Sequence, residues 1–90
     1  MTKDSGITPQ MSTGMQPVEW AACADRPNRK EARQGPCRML VETMPNGKAL
    51  WFVDHERYGV LQPWTMEETP TAAKQQALSF VRAYALAESR

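Results

Sequence analysis

Apolar residues in this chain gather into short runs divided by polar, turn-forming stretches, and the period within each run predicts its element. Cys37 to Met44 and Lys48 to Asp54 are rich in apolar and β-compatible residues, with Pro45-Asn46-Gly47 between them. Asn-Gly between two such runs is the strongest short-range hairpin signal, because both residues accept positive φ in a type I′ turn. In the first run Met39 and Val41 share one face, and Leu40 shares the other with Glu42. In the second, Ala49, Trp51 and Val53 oppose Leu50 and Phe52. Residues 50 to 53 are all apolar, so strict alternation fails, and a central strand with both faces partly covered is expected. Tyr58 to Gln62 predicts a third strand, which Pro63 ends and thereby suits to a sheet edge. Trp64 follows at the strand-to-helix corner, where it is expected to act as a core lid.

A different period takes over at Thr69-Pro70. Thr69 suits an N-cap and Pro70 the first helical position, with Glu67 and Glu68 near the positive end of the helix dipole. From Pro70 to about Glu88 good helix formers dominate. Ala73, Ala77, Leu78, Val81, Tyr84 and Ala85 recur at i, i+3, i+4 spacing and form one apolar stripe, with Phe80 on its flank. Lys74, Gln75, Ser79, Arg82 and Glu88 occupy the opposite face. The expected fold class is therefore α+β: a small antiparallel three-stranded sheet, made of a hairpin plus one strand, packed against a C-terminal helix.

The N-terminal third is less regular. Residues 1–16 are rich in Ser, Thr, Gly, Gln and Pro with an isolated Ile7, and such a segment buries too little apolar surface to offset the entropy of ordering it. A flexible tail over 1–16 and a single domain over 17–90 are expected. Within that domain an arm and basic loop span 17–36, a β-meander 37–64 and the helix 70–88. Pro17 to Ala24 suits one or two helical turns, or a strand with Val18, Trp20 and Ala22 on one face. Either way Trp20 is expected to anchor the arm. Asp25 to Gly35 reads as a charged loop, with room for one helical turn over Arg29 to Arg33.

Composition narrows the setting. Ninety residues fit one domain, and the apolar fraction of 41% is that of a globular chain. The formal charge of +1 removes the whole-protein field that makes non-specific nucleic-acid or membrane binding the default. No apolar run approaches the roughly 18 residues of a membrane span, and Met1 to Gly6 offers no signal-peptide h-region. A cytoplasmic protein is the expectation, with Cys23 and Cys37 as reduced thiols.

Candidate chemistry is sparse. Arg26, Arg29, Lys30, Arg33 and Arg38 face only Asp25 and Glu31 nearby, a local excess of three positive charges. Guanidinium forks suit phosphates and carboxylates. Beside Trp20 such a loop suits single-stranded nucleic acid, although a pI of about 7.8 is low for a dedicated binder. Cys23, Cys37 and His55 lack the paired spacing of a zinc site, so no metal and no cofactor are called for. His55, between Asp54 and Glu56, suits a general acid or base, or a Cys-His pair, only in the company of an oxyanion or phosphate loop that this sequence does not contain. Catalysis is not expected.

What remains is a surplus of apolar surface on Leu50 to Val53 relative to what one helix can cover. The sequence therefore predicts a small non-enzymatic interaction module that binds or inhibits a larger macromolecule or pairs with a second copy of itself. Its contact residues would be Leu50 and Phe52, with Trp20, Arg26, Arg29, Lys30, Arg33 and Arg38. The alternative is nucleic-acid binding through the basic segment 26–38. No membrane and no small-molecule substrate are implied. In style alone the layout resembles many short proteins of phages and mobile elements, a setting that suits an accessory protein but assigns no residue a role.

Overall fold

Residues 18–89 are described by the computed structural model of the chain; the tail expected over 1–16, and Pro17, lie outside the described residues. The described chain forms strands β1 (Ala21–Cys23), β2 (Arg26–Gln34), β3 (Cys37–Thr43), β4 (Ala49–His55) and β5 (Gly59–Glu67), then helix α1 (Pro70–Glu88). Every neighbouring pair of strands is antiparallel and the sheet order follows the chain, β1-β2-β3-β4-β5. The α+β class holds, but the expected three-stranded sheet is corrected to five.

Two segments account for the correction. Asp25 to Gly35 was expected as a loop because its side chains are charged, yet Arg26–Gln34 is a nine-residue strand in register with β3 from Arg29↔Glu42 to Gln34↔Cys37. Its turn into β3 is a two-residue hairpin. Gly35 takes φ 58° there, a left-handed value that glycine adopts without a Cβ penalty, and Pro36 holds the second position. The arm before it contributes the short edge strand β1 rather than helical turns.

The hairpin between β3 and β4 forms where expected, with a different turn. The amide of Gly47 donates to the Met44 carbonyl (3.0 Å), which puts Pro45 and Asn46 at the centre instead of Asn46 and Gly47. Pro45 fixes a negative φ, which excludes type I′, and Gly47 supplies the left-handed residue that follows (φ 88°). The Asn46 side chain accepts from the Lys48 amide (3.0 Å) and closes the loop.

The third predicted strand is the far edge, as expected, but it continues through Pro63 to Glu67. Register breaks opposite Phe52 and next to Val53 make this possible. At a bulge proline costs no ladder hydrogen bond, and the added residue re-aims the side chains beside it. Trp64 therefore lies in β5 and not at the strand-to-helix corner.

α1 starts as its sequence dictates: the Thr69 hydroxyl accepts from the Ala72 amide (3.1 Å) and Pro70 occupies the first turn. Ala73, Ala77 and Val81 form its buried stripe, Leu78, Phe80 and Tyr84 flank it, and Ala85 is exposed. The helix lies over β3 and β4 and touches β5 less. Beneath it the core contains Ala32, Cys37, Met39, Val41, Ala49, Trp51 and Val53. The Trp51 indole N–H donates to Glu67 (3.1 Å), which satisfies the one polar atom this large ring brings into the core. Val18 and Trp20 extend the cover beyond the helix, with the Lys74 ammonium 5.8 Å from the Trp20 ring. No helix among the described residues is long and apolar enough to cross a membrane.

Met39 has no exposed surface and Val60 is 59% exposed. Met39→Ala is therefore expected to lower the free energy of unfolding by about 2–5 kcal/mol, and Val60→Thr by less than about 0.5 kcal/mol. Urea denaturation of both variants checks the assignment of the two sheet faces.

Candidate functional site

Strand alternation sends Arg38, Leu40 and Glu42 of β3, and Leu50, Phe52 and Asp54 of β4, to the side away from the helix. Register with β3 adds Arg29, Glu31 and Arg33 of β2 to this open face. Lys30 pairs with Val41 and belongs to the helix side, so the basic segment is divided between the two faces. Trp20 also packs on the helix side. The sequence-predicted contact residues are thus only partly brought together: Arg26, Arg29, Arg33, Arg38, Leu50 and Phe52 share the open face, while Trp20 and Lys30 do not.

The open face has a charged half and an apolar half. In the charged half every arginine meets a carboxylate. Glu42 accepts two bonds from Arg29 (2.8 and 3.0 Å) and two longer ones from Arg26 (3.3 and 3.5 Å). Arg38 and its cross-strand partner Asp54 form a two-pronged pair (3.1 and 2.6 Å), and Arg33 bonds Glu31 (3.2 Å). Four positive charges therefore lie among three negative ones, and the local excess seen along the sequence is largely neutralised. The hydrogen bonds from Arg29 lower the Glu42 carboxyl below its usual range; partial burial opposes this shift and the charge of Arg26 reinforces it. The bond to Asp54 likewise tightens the hold of Arg38 on its proton.

The apolar half centres on Phe52. Trp64, re-aimed by the bulge in β5, stacks on the Phe52 ring (centroids 5.1 Å, planes 29° apart). The Arg29 guanidinium lies 5.0 Å from the centroid of Trp64. A continuous line of contacts, from Arg26 through Glu42, Arg29 and Trp64 to Phe52, thereby crosses the open face from β2 to β5. Leu40 is buried beneath this layer, and Leu50 and Phe52 are half-buried. Val60 (59%), Trp64 (38%) and Met66 (49%) remain exposed at the β5 side.

Sequence reasoning did not include Glu42, Asp54, Trp64 or Met66 among the contact residues. The alternation of β3 and β4 already put Glu42 and Asp54 on the face of Leu40 and Phe52. Their meeting with arginines, however, depends on β2 being a strand in a particular register. Trp64 and Met66 were concealed by Pro63, which marked an apparent strand end.

His55 lies apart from this face. Its Nδ1 accepts from the amides of Arg57 (3.0 Å) and Tyr58 (3.4 Å), and its ring stacks on Tyr58 at 4.5 Å. Asp54, its neighbour in the sequence, projects to the other side and is held by Arg38. Cys37 is the cross-strand partner of His55 and is buried, while Cys23 sits at the β1–β2 corner. Burial raises the Cys37 thiol above its usual range, with Asp54 adding to the effect, so the reactive thiolate is disfavoured. Both thiols are free. Among the described residues no group of three or more His, Cys, Asp or Glu side chains is arranged to hold a metal ion. Comparison of the chain with family models, with curated proteins and with solved structures found no match.

Because the Glu42 carboxyl is lowered in the folded state, its pairing stabilises the fold fully above the ordinary carboxylate value of about 4.3. That contribution is lost as the pH falls through the lower, folded value. Thermal unfolding followed from neutral pH into the acid range is expected to show a shallower fall in Glu42→Gln than in the parent chain. An identical acid limb in the two proteins would mean that Glu42 is not held by Arg29 in solution.

Proposed function

We propose that this chain is a small non-enzymatic interaction module that docks a protein partner on the open face of its sheet. The observation that carries the reading is the exposure of Val60, Trp64 and Met66 beside the half-buried Leu50 and Phe52. An aromatic and methionine patch rimmed by paired charges has the make-up of a protein interface: apolar and aromatic at its centre, polar at its margin. The Phe52–Trp64 stack supplies a rigid anchor of the kind that dominates binding energy. Such a module binds or inhibits through surface contact alone. A cytoplasmic setting, where its two free thiols stay reduced, fits this role.

A second reading is favoured by one observation, the Arg29 guanidinium set against the Trp64 ring. Guanidinium and aromatic groups side by side also suit the backbone and bases of single-stranded nucleic acid. The pairing of Arg26, Arg29, Arg33 and Arg38 with carboxylates weighs against it, since each phosphate contact must first compete with an existing ion pair.

The test is capture from a native lysate by the full chain and by Met66→Asp, each with and without nuclease. A protein partner is expected with and without nuclease, and Met66→Asp should cut its recovery at least about fivefold with unchanged thermal stability. Recovery abolished by nuclease would replace this reading with the nucleic-acid one. Recovery equal for the parent and Met66→Asp would remove the open face as the docking surface.

A further inference from the structure

The turn from β4 into β5 is closed by the pairing of His55 with Gly59, and the residues between them contribute the amides of Glu56, Arg57 and Tyr58. Glu56 donates to the Pro36 carbonyl (3.0 Å), which ties this turn to the one between β2 and β3. Arg57 and Tyr58 both donate to a single atom, Nδ1 of His55 (3.0 and 3.4 Å). Two of the three amides thus meet at one side-chain nitrogen. The stack on Tyr58 (4.5 Å) and the edge contact with Tyr84 of α1 (5.8 Å) hold the ring where both amides reach it.

That nitrogen accepts only while it carries no proton. A neutral imidazole has one donor nitrogen and one acceptor, so acceptance at Nδ1 puts the proton of the neutral ring on Nε2. An imidazolium has two donors and no acceptor. A proton added to Nδ1 would point at two N–H groups, and the contact cannot survive it.

The charged neighbours of the ring come from its own turn and from the end of α1. Glu56 and Arg57 of the turn, and Arg82 and Glu88 of the helix, line the recesses that His55 shares. Cys37 and Tyr84 line the same space, and both are pushed up, Cys37 by burial and then by Asp54, Tyr84 by desolvation and then by Glu88. Neither is therefore charged in the range in which an imidazole titrates, about pH 5 to 8. Asp54 projects to the opposite face and is held there by Arg38. A protonated ring has the carboxylates of Glu56 and Glu88 nearby, whereas the amides it leaves lose their acceptor.

We propose that His55 is a pH-operated latch on the β4–β5 turn, which holds the Arg57 and Tyr58 amides while the ring is neutral and releases both when Nδ1 takes a proton. The latch is closed above the titration range of the imidazole and opens as the pH falls through it. Release loosens the turn where β5 begins. The β3–β4 turn is closed by backbone groups and the Asn46 amide, none of which titrates, so it stays shut. The device is separate from the open face and independent of what docks there.

The experiment is an NMR titration of the full chain, labelled with nitrogen-15, from about pH 8 to about pH 5. At the upper end the ring nitrogens are expected to show Nδ1 without a proton and Nε2 with one. As the pH falls, the amide signals of Arg57 and Tyr58 should move with the same midpoint as the His55 ring, and the protection of both amides from exchange should drop at least about fivefold. The Gly47 amide of the β3–β4 turn should keep its protection. In His55→Phe, which keeps a ring beside Tyr58 but has no acceptor, the two amides should give the released signals at every pH. The latch is overturned if the proton of the neutral ring is found on Nδ1, if the two amides do not follow the His55 midpoint, or if Gly47 loses protection with them, which would mean that the whole sheet opens. It is also overturned if the amides titrate unchanged in His55→Phe, which would assign the effect to Glu56 or Glu88. The readings on the parent chain decide the matter even where the variant fails to fold.

Discussion

A single helix about 10 Å across spans roughly two strands set about 4.8 Å apart, so it cannot cover a five-stranded sheet. The side chains are distributed around this mismatch. β3 and β4, directly beneath α1, carry Met39, Val41, Ala49, Trp51 and Val53 with little or no exposure. β2 lies outside the helix's reach, and its core contribution shrinks to Ala32, with Val18 and Trp20 brought in from the N-terminal side to extend the cover. On the opposite face no helix is present among the described residues, and longer side chains of the sheet itself lie there instead. The Trp64 ring covers Phe52, and the Arg29–Glu42 pair spans β2 and β3.

How much of this could be read in advance depended on whether a strand faces the helix. β3, β4 and α1 carry side chains chosen for a shared core, so their boundaries, their two faces and the Thr69 cap were visible in the apolar spacing. β2 has no such pattern. Arg26-Pro27-Asn28-Arg29-Lys30-Glu31 looks like a solvated loop because its partners are the one carboxylate of β3, Glu42, and backbone groups on both neighbouring strands. A strand held by register and ion pairs leaves no hydrophobic period to detect. β5 was cut short for a related reason. Pro63 ends a regular strand, but here it sits at a bulge, and the bulge is what turns Trp64 onto Phe52. Of the candidate site, Leu50 and Phe52 were legible because alternation alone sends them opposite to Trp51. Their companions Trp64, Met66, Glu42 and Asp54 depend on pairings between distant segments.

The same division explains why the basic segment changes character on folding. Along the sequence its arginines stand in excess, which suggested a phosphate-binding loop. In the sheet Arg26 and Arg29 meet Glu42 and Arg38 meets Asp54 across strands, Arg33 meets Glu31 of its own strand, and Lys30 leaves for the other side. The face that results is close to neutral, ordered by cross-strand pairs, and apolar only towards β5. A surface of that kind offers little long-range attraction and gains its contact energy from the aromatic and methionine side chains.

If the open face docks a protein partner as proposed, its apolar half is uncovered in the free chain and covered in the complex. Hydroxyl-radical footprinting with mass spectrometry measures this directly at Trp64 and Met66, once on the purified dilute protein and once in native lysate. Rapid oxidation of both residues in the purified chain, with strong protection in lysate, is the predicted result. Protection already present in the dilute protein would mean that the chain encloses this surface itself, and equal oxidation in both settings would mean that nothing docks on it.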